Sequence, residues 1–572
     1  MPTDPDGVAG VVTERDVAVR MRDDVTLRCN IYRPDDSGAH PTLLQRQPYN
    51  KHLAQTYVYA HPAWYARRGY AVVVQDTRGR YASEGEFYPL RLDAEDGYDT
   101  IEWCAAQPWS NGHIGTYGFS YPGINQLLAA AERPPHLVAT MPGFYPSGMY
   151  EGFTHIGGTF ALAAVLDWAL ILAGDVAART RDEVLAAQLR KLSDCGGNWH
   201  PTQSLRELPF LVEPPIMPFL GDYLDHPSHD DYWREGAIAP RVSRIAVPCL
   251  HISGWYDTFV TQTVETYERC VAETEVEHRL LVGPWYHLPW SQQVGCVDYG
   301  EDARNVVDDY QLAWCDAWLK GERAALDALP AVRVFVTGEN RWRDTERWPL
   351  PGRNESWYLH SEGRANSLSG NGRLGRETPS EEEPDFFVYD PYQPVPSVGG
   401  HSCCYPGNAP MGPRDQRPVE VRNDVLVYTS DPLGASLLVA GRANVILFAA
   451  SSAVDTDFAV TLCDVAPDGT SLNMQEGVIR ARFRESRERE VLIEPGRIYE
   501  YRIDLGSLCH SFGTGHRIRV QVTSSDYPAY DRNPNTGVPI GAEAPFSAMP
   551  ADQTVFHDAS RASRLELPVA TG

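Results

Sequence analysis

The chain has 572 residues, which is too long for one ordinary core and therefore predicts two or three domains. Its formal net charge of −26 disfavours nucleic acid and anionic lipid surfaces as partners. Hydrophobic residues make up 43% of the sequence and are spread without long polar tracts, which excludes a largely disordered protein.

The ends of the chain and its apolar segments predict a soluble, cytoplasmic protein. Residues 1–10 contain no basic stretch followed by an apolar one, so they do not resemble a signal peptide. The most apolar helical stretch, residues 160–173, is too short to span a bilayer and is interrupted by Asp167. We therefore expect no membrane partner.

The cysteines and the short motifs predict no metal and no cofactor. Eleven cysteines form an odd set without a CxxC spacing, which argues against a disulfide framework and against a zinc site. The sequence contains neither an HExxH pair nor a phosphate-binding loop, which disfavours a zinc protease or a nucleotide-driven enzyme. The adjacent Cys403 and Cys404 are interpreted as ordinary loop thiols without a disulfide, and their redox state stays open.

The order of predicted elements indicates an α/β domain followed by a β domain. Up to about residue 333, short buried strands alternate with helices, which is typical of a mainly parallel sheet. A helical stretch rich in Ala and Leu interrupts this pattern, and after about residue 349 short strands alternate with turns. The predicted parts are residues 1–145 and 240–349 (α/β domain), 146–239 (helical cap) and 350–572 (β-sandwich).

The most informative motif is the segment GFSYPG at residues 118–123, which follows a predicted strand and precedes a predicted helix. Glycines in this context permit a tight turn that exposes the hydroxyl of Ser120 above the sheet. The second glycine lies one position later than in the usual G-x-S-x-G pattern. We predict that Ser120 is a catalytic nucleophile.

A serine nucleophile needs a base, and the base needs a carboxylate that orients it. Asp257 follows the predicted strand at residues 249–253, and His287 follows the next predicted strand. Their order along the chain, Ser then Asp then His, is the order expected when the nucleophile lies on such a turn between a strand and a helix. The predicted catalytic triad is therefore Ser120, His287 and Asp257.

In the segments around these three residues, the chain resembles the bacterial cocaine esterases and their relatives, the α-amino-acid ester hydrolases and the X-prolyl dipeptidyl peptidases. The resemblance covers nearly the whole chain. Besides the triad segments, it is carried by residues 21–25 (MRDDV), 32–34 (YRP), 75–79 (QDTRG), 83–87 (SEGEF), 451–458 (SSAVDTDF) and 530–537 (YDRNPNTG).

The resemblance implies an α/β-hydrolase domain with an inserted helical cap and a C-terminal jelly-roll-like β-sandwich. It also implies roles for individual side chains. It implies an oxyanion hole made by the backbone N–H of Tyr121 and the hydroxyl of Tyr49. It also implies that Trp168, on the cap, and Phe259, two residues after the triad aspartate, line the acyl pocket.

Three functions remain open at this point. The leading hypothesis is hydrolysis of a carboxylic ester through an acyl-enzyme, with a small molecule as substrate. The second is an acylase, an X-Pro peptidase or an acyl transferase that uses the same triad, and the third is a binding protein that keeps the fold. The residues decide neither the physiological substrate nor whether the chain forms a homo-oligomer.

Overall fold

The computed structural model describes residues 10–193, 205–208, 211, 216–404, 407, 408 and 410–571. The strands as far as residue 345 are β1 (Val11–Arg20), β2 (Thr26–Pro34), β3 (His40–Gln47), β4 (Ala71–Asp76), β5 (Ser110–Phe119), β6 (Leu137–Gly143), β7 (His155–Ile156), β8 (Thr159–Phe160), β9 (Cys249–Tyr256), β10 (His278–Tyr286), β11 (Gln293–Val294), β12 (Val297–Asp298), β13 (Val332–Val336) and β14 (Arg341–Thr345). The α-helices of this part are α1 (Pro62–Ala66), α2 (Asp93–Ala105), α3 (Tyr121–Ala131), α4 (Leu162–Thr180), α5 (Glu183–Ser193), α6 (Pro218–Asp225), α7 (Asp231–Arg234), α8 (Val260–Glu273) and α9 (Val307–Leu319).

Ten of these strands form one sheet in the order β1-β2-β4-β3-β5-β6-β9-β10-β13-β14. Strands β4 to β13 of this order run parallel, and the strands at both edges are antiparallel. Successive side chains of a strand face opposite sides, so Leu43 joins the core beneath α1 and α9 while Leu44 joins the core beneath α2 and α3. Both faces are thus covered, which explains why β4 is buried along its whole length.

The segment between β6 and β9 forms a layer over the carboxyl ends of the strands. It contains the hairpin β7-β8 and helices α4 to α7. Helix α4 is rich in Ala and Leu and buries most of its length in a core shared with Ile124 of α3. Within the described ranges, no helix is long and apolar enough to cross a membrane.

The rest of the chain is almost entirely β-structure. Its strands are β15 (Gly352–His360), β16 (Arg373–Gly375), β17 (Asp385–Tyr389), β18 (Leu426–Ser430), β19 (Leu437–Ser451), β20 (Asp457–Val465), β21 (Ser471–Arg480), β22 (Tyr499–Phe512), β23 (Arg517–Thr523), β24 (Ala551–Phe556) and β25 (Arg564–Ala570), with one short helix, α10 (Arg417–Glu420). They are hydrogen-bonded in the order β17-β24-β19-β25-β15-β16-β18-β23-β20-β21, and β22 also pairs with β19. The strands enclose one apolar core that includes Leu447, Phe458 and Leu565.

Hydrogen bonds join this β domain to the layer above the ten-stranded sheet. The Phe160 N–H donates to Asp531 Oδ1 at 2.8 Å, and the Arg480 N–H donates to the carbonyl of Gly157 at 2.9 Å. The β domain therefore holds the hairpin β7-β8 in place. The three domain boundaries given above stay predictions.

Candidate active site

The backbone of Ser120 makes a strained turn between β5 and α3. Its φ of 67° and ψ of −130° lie outside the regions that ordinary residues prefer. Two hydrogen bonds from the Ser120 N–H stabilise this turn, one to the carbonyl of Gly143 at 2.9 Å and one to that of Phe144 at 3.1 Å. The turn places the Ser120 side chain at the wall of a cavity above the sheet.

The structure explains why the second glycine of the motif stands one position late. A Cβ atom on Gly123 would lie 2.5 Å from the carbonyl oxygen of Gly143 and 2.8 Å from Cβ of Tyr145. The first turn of α3 therefore passes β6 at residue 123, whereas residue 122 is a proline that fits the start of a helix. Gly118 is also required, because a Cβ atom there would lie 2.6 Å from Cβ of Pro122.

His287 and Asp257 meet at the carboxyl ends of neighbouring parallel strands, just after β10 and β9. His287 Nδ1 lies 2.7 Å from Asp257 Oδ1, and both side chains are buried. A carboxylate only accepts hydrogen bonds, so this contact makes Nδ1 the donor and leaves Nε2 as the acceptor. The rings of Phe119 and Phe259 pack against the imidazole with centroid distances of 5.3 Å.

The His287 imidazole and Ser120 line the same cavity. In the described chain, no hydrogen bond joins Ser120 Oγ to His287 Nε2. Such bonds commonly shorten only when substrate binds, so the arrangement suits a serine and base that are not yet engaged.

Tyr49 follows β3 and is fixed by a buried ion pair two residues later. The backbone N–H of Lys51 donates to Asp76 Oδ1 at 2.6 Å, and Lys51 Nζ donates to Asp76 Oδ2 at 2.9 Å. Asp76 ends the neighbouring strand β4, so this clamp holds the loop after β3 against the sheet. The clamp positions Tyr49 beside Ser120.

The hydroxyl of Tyr49 accepts a hydrogen bond from Trp168 Nε1 of helix α4 at 3.0 Å. Because an indole N–H can only donate, the phenolic proton of Tyr49 stays available for another acceptor. Burial raises the pKa of Tyr49 well above its usual value, so the phenol stays neutral. Trp168 therefore orients Tyr49 in addition to lining the cavity, a role that its sequence position does not reveal.

The cavity has a volume of about 350 Å³ and is walled mainly by aromatic and aliphatic side chains. None of the described residues that line it is an aspartate or a glutamate. They are Tyr49, Leu53, Tyr57, Tyr81, Phe119, Ser120, Tyr121, Ile124, Pro146, Met149, Phe153, Trp168, Ile171, Phe259, His287, Leu288, Cys403 and Cys404.

Two of these residues, Cys403 and Cys404, come from the loop between β17 and β18 of the β domain. Nothing in the sequence pattern places these thiols at the site, because only tertiary packing brings the loop there. Ser402 forms a β-bridge with Asp257, so the loop lies directly against the predicted triad. Its neighbour His401 places both ring nitrogens on acceptors, Nδ1 on Glu476 Oε1 at 2.8 Å and Nε2 on the carbonyl of Trp255 at 2.7 Å.

One group of side chains in the described ranges has the residue types of a metal site, namely Cys249, His251 and His278. His251 Nε2 lies 3.3 Å from His278 Nδ1. The other two ring nitrogens meet the hydroxyls of Tyr145 and Thr274, both at 2.7 Å. Since every imidazole nitrogen has a partner and none of the three residues lines the cavity, we interpret the group as a buried hydrogen-bond network.

Comparisons with known proteins agree with this geometry. A sequence model described as "X-Pro dipeptidyl-peptidase (S15 family)" matches residues 23–289, and one described as "X-Pro dipeptidyl-peptidase C-terminal non-catalytic domain" matches residues 324–566. The chain is 38% identical to the cocaine esterase of Rhodococcus sp. (strain MB1 Bresler), with 97% of this chain and 98% of that protein covered. It is 25% identical to a putative serine esterase of Mycobacterium bovis, with 96% and 94% covered.

Two solved structures extend the likeness to the whole fold. An aminopeptidase from the marine sediment archaeon Thaumarchaeota archaeon superimposes with a TM-score of 0.81 at 26% identity, covering 100% of this chain and 99% of that one. An α-amino acid ester hydrolase superimposes with a TM-score of 0.78 at 25% identity, covering 99% and 98%. The predicted fold class, an α/β hydrolase with a C-terminal β-sandwich, is confirmed. The chain therefore belongs to the X-Pro dipeptidyl-peptidase (S15) family, together with cocaine esterase, and is a serine hydrolase.

Proposed function

We propose that Ser120, His287 and Asp257 form the catalytic triad. Ser120 Oγ attacks the ester carbonyl while His287 Nε2 takes the hydroxyl proton, and Asp257 stabilises the resulting imidazolium. The imidazolium then gives its proton to the leaving alcohol, which leaves an acyl-enzyme on Ser120. A water molecule activated by the same imidazole releases the acid. The 2.7 Å contact that fixes the tautomer of His287 supports these roles.

We further propose that Tyr49 and the N–H of Tyr121 stabilise the oxyanion. The Tyr121 N–H stands at the start of α3, where a helix leaves its first N–H groups without partners inside the helix. The helix dipole adds positive potential at the same point. Tyr49 is the second donor, because its proton is not used by Trp168. In this proposal both groups donate to the negative charge that develops as Ser120 attacks.

The substrate that this cavity supports best is an ester with an uncharged, apolar acyl group, such as an aryl carboxylate. The observation that carries this proposal is the aromatic wall around Ser120, with Trp168, Phe153 and Phe259 in contact and no carboxylate among the described lining residues. Aromatic acyl groups gain apolar burial and ring contacts there.

The same wall opposes substrates with a free α-amine. An ammonium group buried without a carboxylate loses its hydration and gains no partner, which costs several kcal/mol. An α-amino acid ester carries such a group next to the carbonyl that is attacked, and a peptide that begins with X-Pro carries it one residue further from the bond that is cleaved. Amide-directed cleavage or acyl transfer by the same triad is therefore the second reading, and no contact in the described cavity favours it over ester hydrolysis.

A matched pair of substrates tests this proposal. Methyl phenylacetate and methyl phenylglycinate differ only by an α-amino group. The ratio of their kcat/KM values therefore measures how much the ammonium charge disfavours reaction in the cavity. At a pH where the amine is protonated, we expect the neutral ester to be preferred by about 100-fold or more, which corresponds to roughly 2.7 kcal/mol. The Ser120→Ala variant is the control for hydrolysis outside the site.

Equal or better cleavage of the amino ester would contradict the proposed substrate class. Rapid release of the aniline from an X-Pro anilide would instead favour the peptidase hypothesis. The net charge of −26 supports the companion proposal that small molecules, and not nucleic acids, are the partners of this chain.

A further inference from the structure

The loop of the β domain that reaches the cavity brings two thiols into contact. Cys403 is buried and Cys404 is half-buried, and their sulfur atoms lie 2.7 Å apart. Neighbouring side chains in an extended strand point to opposite sides, so a special backbone is needed to face them toward each other. Cys404 supplies it with a φ of 81°, in the left-handed region that a non-glycine residue rarely adopts.

Contacts on both sides of the thiols hold the loop in this shape. Before them, the buried pair of His401 and Glu476 fixes the loop to the carbonyl of Trp255. After them, Asn408 Nδ2 donates to Asp167 Oδ1 of helix α4. The thiol pair is therefore a built part of the cavity wall between the predicted triad and the cap.

We propose that Cys403 and Cys404 are a redox-active pair that a low-molecular-weight disulfide oxidises, and that this oxidation lowers ester hydrolysis. The effect on the rate rests on the proposed function, whereas the oxidation itself does not. Disulfide exchange proceeds in two steps, and each thiol acts in one of them.

Cys404 is the first nucleophile, because it is the more exposed of the two and faces the cavity. Its thiolate attacks one sulfur of oxidised glutathione and expels one glutathione thiolate, which forms a mixed disulfide. Cys403 then loses its proton and attacks Cys404 Sγ, which releases the second glutathione. In total the protein loses two protons and two electrons, and one glutathione disulfide becomes two molecules of glutathione.

The roles agree with the surroundings of Cys403. Its contact with Cys404 and its burial both raise the pKa of Cys403, so it is a poor first nucleophile. Once the mixed disulfide has formed, Cys403 attacks from the neighbouring position, and this intramolecular attack compensates for its small thiolate fraction.

The geometry of adjacent cysteines also makes the oxidised pair easy to reduce. Consecutive Cα atoms are about 3.8 Å apart, whereas disulfides usually join Cα atoms about 4.4–6.8 Å apart. The bond is therefore strained and has a more oxidising potential than a structural disulfide. A disulfide between Cys403 and Cys404 closes a small ring, which changes the backbone conformation next to Ser402. Because Ser402 bridges Asp257, this change disturbs both the cavity wall and the proposed triad.

The experiment uses the full chain incubated with oxidised glutathione and analysed by peptide mass spectrometry and by hydrolysis of methyl phenylacetate. We expect a peptide in which residues 403 and 404 have together lost two hydrogen atoms. We also expect kcat/KM to fall by roughly tenfold or more and to recover with a dithiol reductant. Compared before and after the oxidant, Cys404→Ser should lose both the cross-link and the fall in kcat/KM. Cys403→Ser should form no cross-link and should stop at a glutathione adduct on Cys404. Cys296→Ser, at an exposed thiol outside the cavity, should keep both responses.

A second probe needs no variant. Phenylarsine oxide binds two neighbouring thiols, forming two As–S bonds and releasing water, and it should block the later oxidation until a small dithiol removes it. Glutathione adducts without the cross-link, or no arsenical binding, would overturn the redox pair. A cross-link that leaves kcat/KM unchanged would overturn its effect on hydrolysis, and this outcome differs from failure of the triad, which Ser120→Ala reports separately.

Discussion

Removal of the Tyr49 hydroxyl tests the proposed oxyanion hole and, through Trp168, the contact between the cap and the catalytic domain. The Tyr49→Phe variant keeps the ring and its packing but removes the hydroxyl, which is the one group of this side chain that can donate to the oxyanion. Loss of one such donor lowers kcat by about 10²–10³-fold, or roughly 2.7–4 kcal/mol. KM should change little, because the contact forms mainly in the transition state.

The structure adds a second consequence, because the same oxygen accepts a hydrogen bond from Trp168 Nε1. Trp168 is 4% exposed, so Tyr49→Phe leaves its N–H buried without a partner. An orphaned donor costs about 1–3 kcal/mol of stability. We therefore expect a lower urea midpoint for Tyr49→Phe together with the fall in kcat.

The double variant Tyr49→Phe with Trp168→Phe separates the two effects. With Trp168 replaced as well, no N–H is left without a partner, so the double variant should have the urea midpoint of Trp168→Phe alone, which carries the cost of the smaller ring. The value of kcat should stay low, because the hydroxyl of Tyr49 is still missing. Stopped-flow or steady-state assays with methyl phenylacetate supply kcat, and fluorescence in urea supplies the midpoint. A near-normal kcat for Tyr49→Phe would refute the proposed role, and a midpoint of the double variant well below that of Trp168→Phe would refute the stability argument.

Three further outcomes follow from other contacts. Ser120→Ala should lower kcat by about 10⁶-fold. Because the triad acts as a unit, adding His287→Ala should lower kcat little further, and a steady-state assay in which the effects of the two changes multiply would contradict this. For His557, burial alone lowers the pKa, but the carboxylate of Asp385 at 2.9 Å outweighs burial and raises it. Its stabilising contribution is therefore full below the unfolded pKa of about 6.5 and is lost as pH rises through the folded value. His557→Ala should cost about 3 kcal/mol or more at pH 5, and urea unfolding should show this cost shrink at high pH. A chain without residues 350–572 should aggregate in size-exclusion chromatography, because it exposes apolar surface, and a soluble, fully active truncated protein would count against that view.

The elements that carry the proposed triad could be predicted because their signals are local. The strand, turn and helix around Ser120 follow from residues 110–131 alone, and the sheet rule places Asp257 and His287 at adjacent strand ends. The motif has its second glycine one position late because residue 123 is the one that packs against β6. Tyr49 needed the family resemblance, since one tyrosine after a strand has no distinctive pattern.

The remaining features depend on contacts between distant parts of the chain. The bond from Trp168 to Tyr49 joins residues 119 positions apart, and the thiols of the β domain reach a site whose serine lies far earlier in the sequence. Neither strand periodicity nor turn composition encodes which loop of a β-sandwich meets another domain. The absence of carboxylates from the described cavity wall likewise follows from which side chains converge there, and only the folded chain shows it.

The strand order of the β domain has a consequence for when the active site is completed during synthesis. Strands β24 and β25 pair with β17, β19 and β15, so the sheet of the β domain closes only after these two late strands have been synthesised. A ribosome that adds roughly 5–20 residues per second needs about 10–30 s to extend the chain from residues 401–404 to β25. We therefore expect the serine turn and its sheet to form before the cavity wall is complete. Under the proposed function, we expect hydrolysis to begin only after β25 has been added.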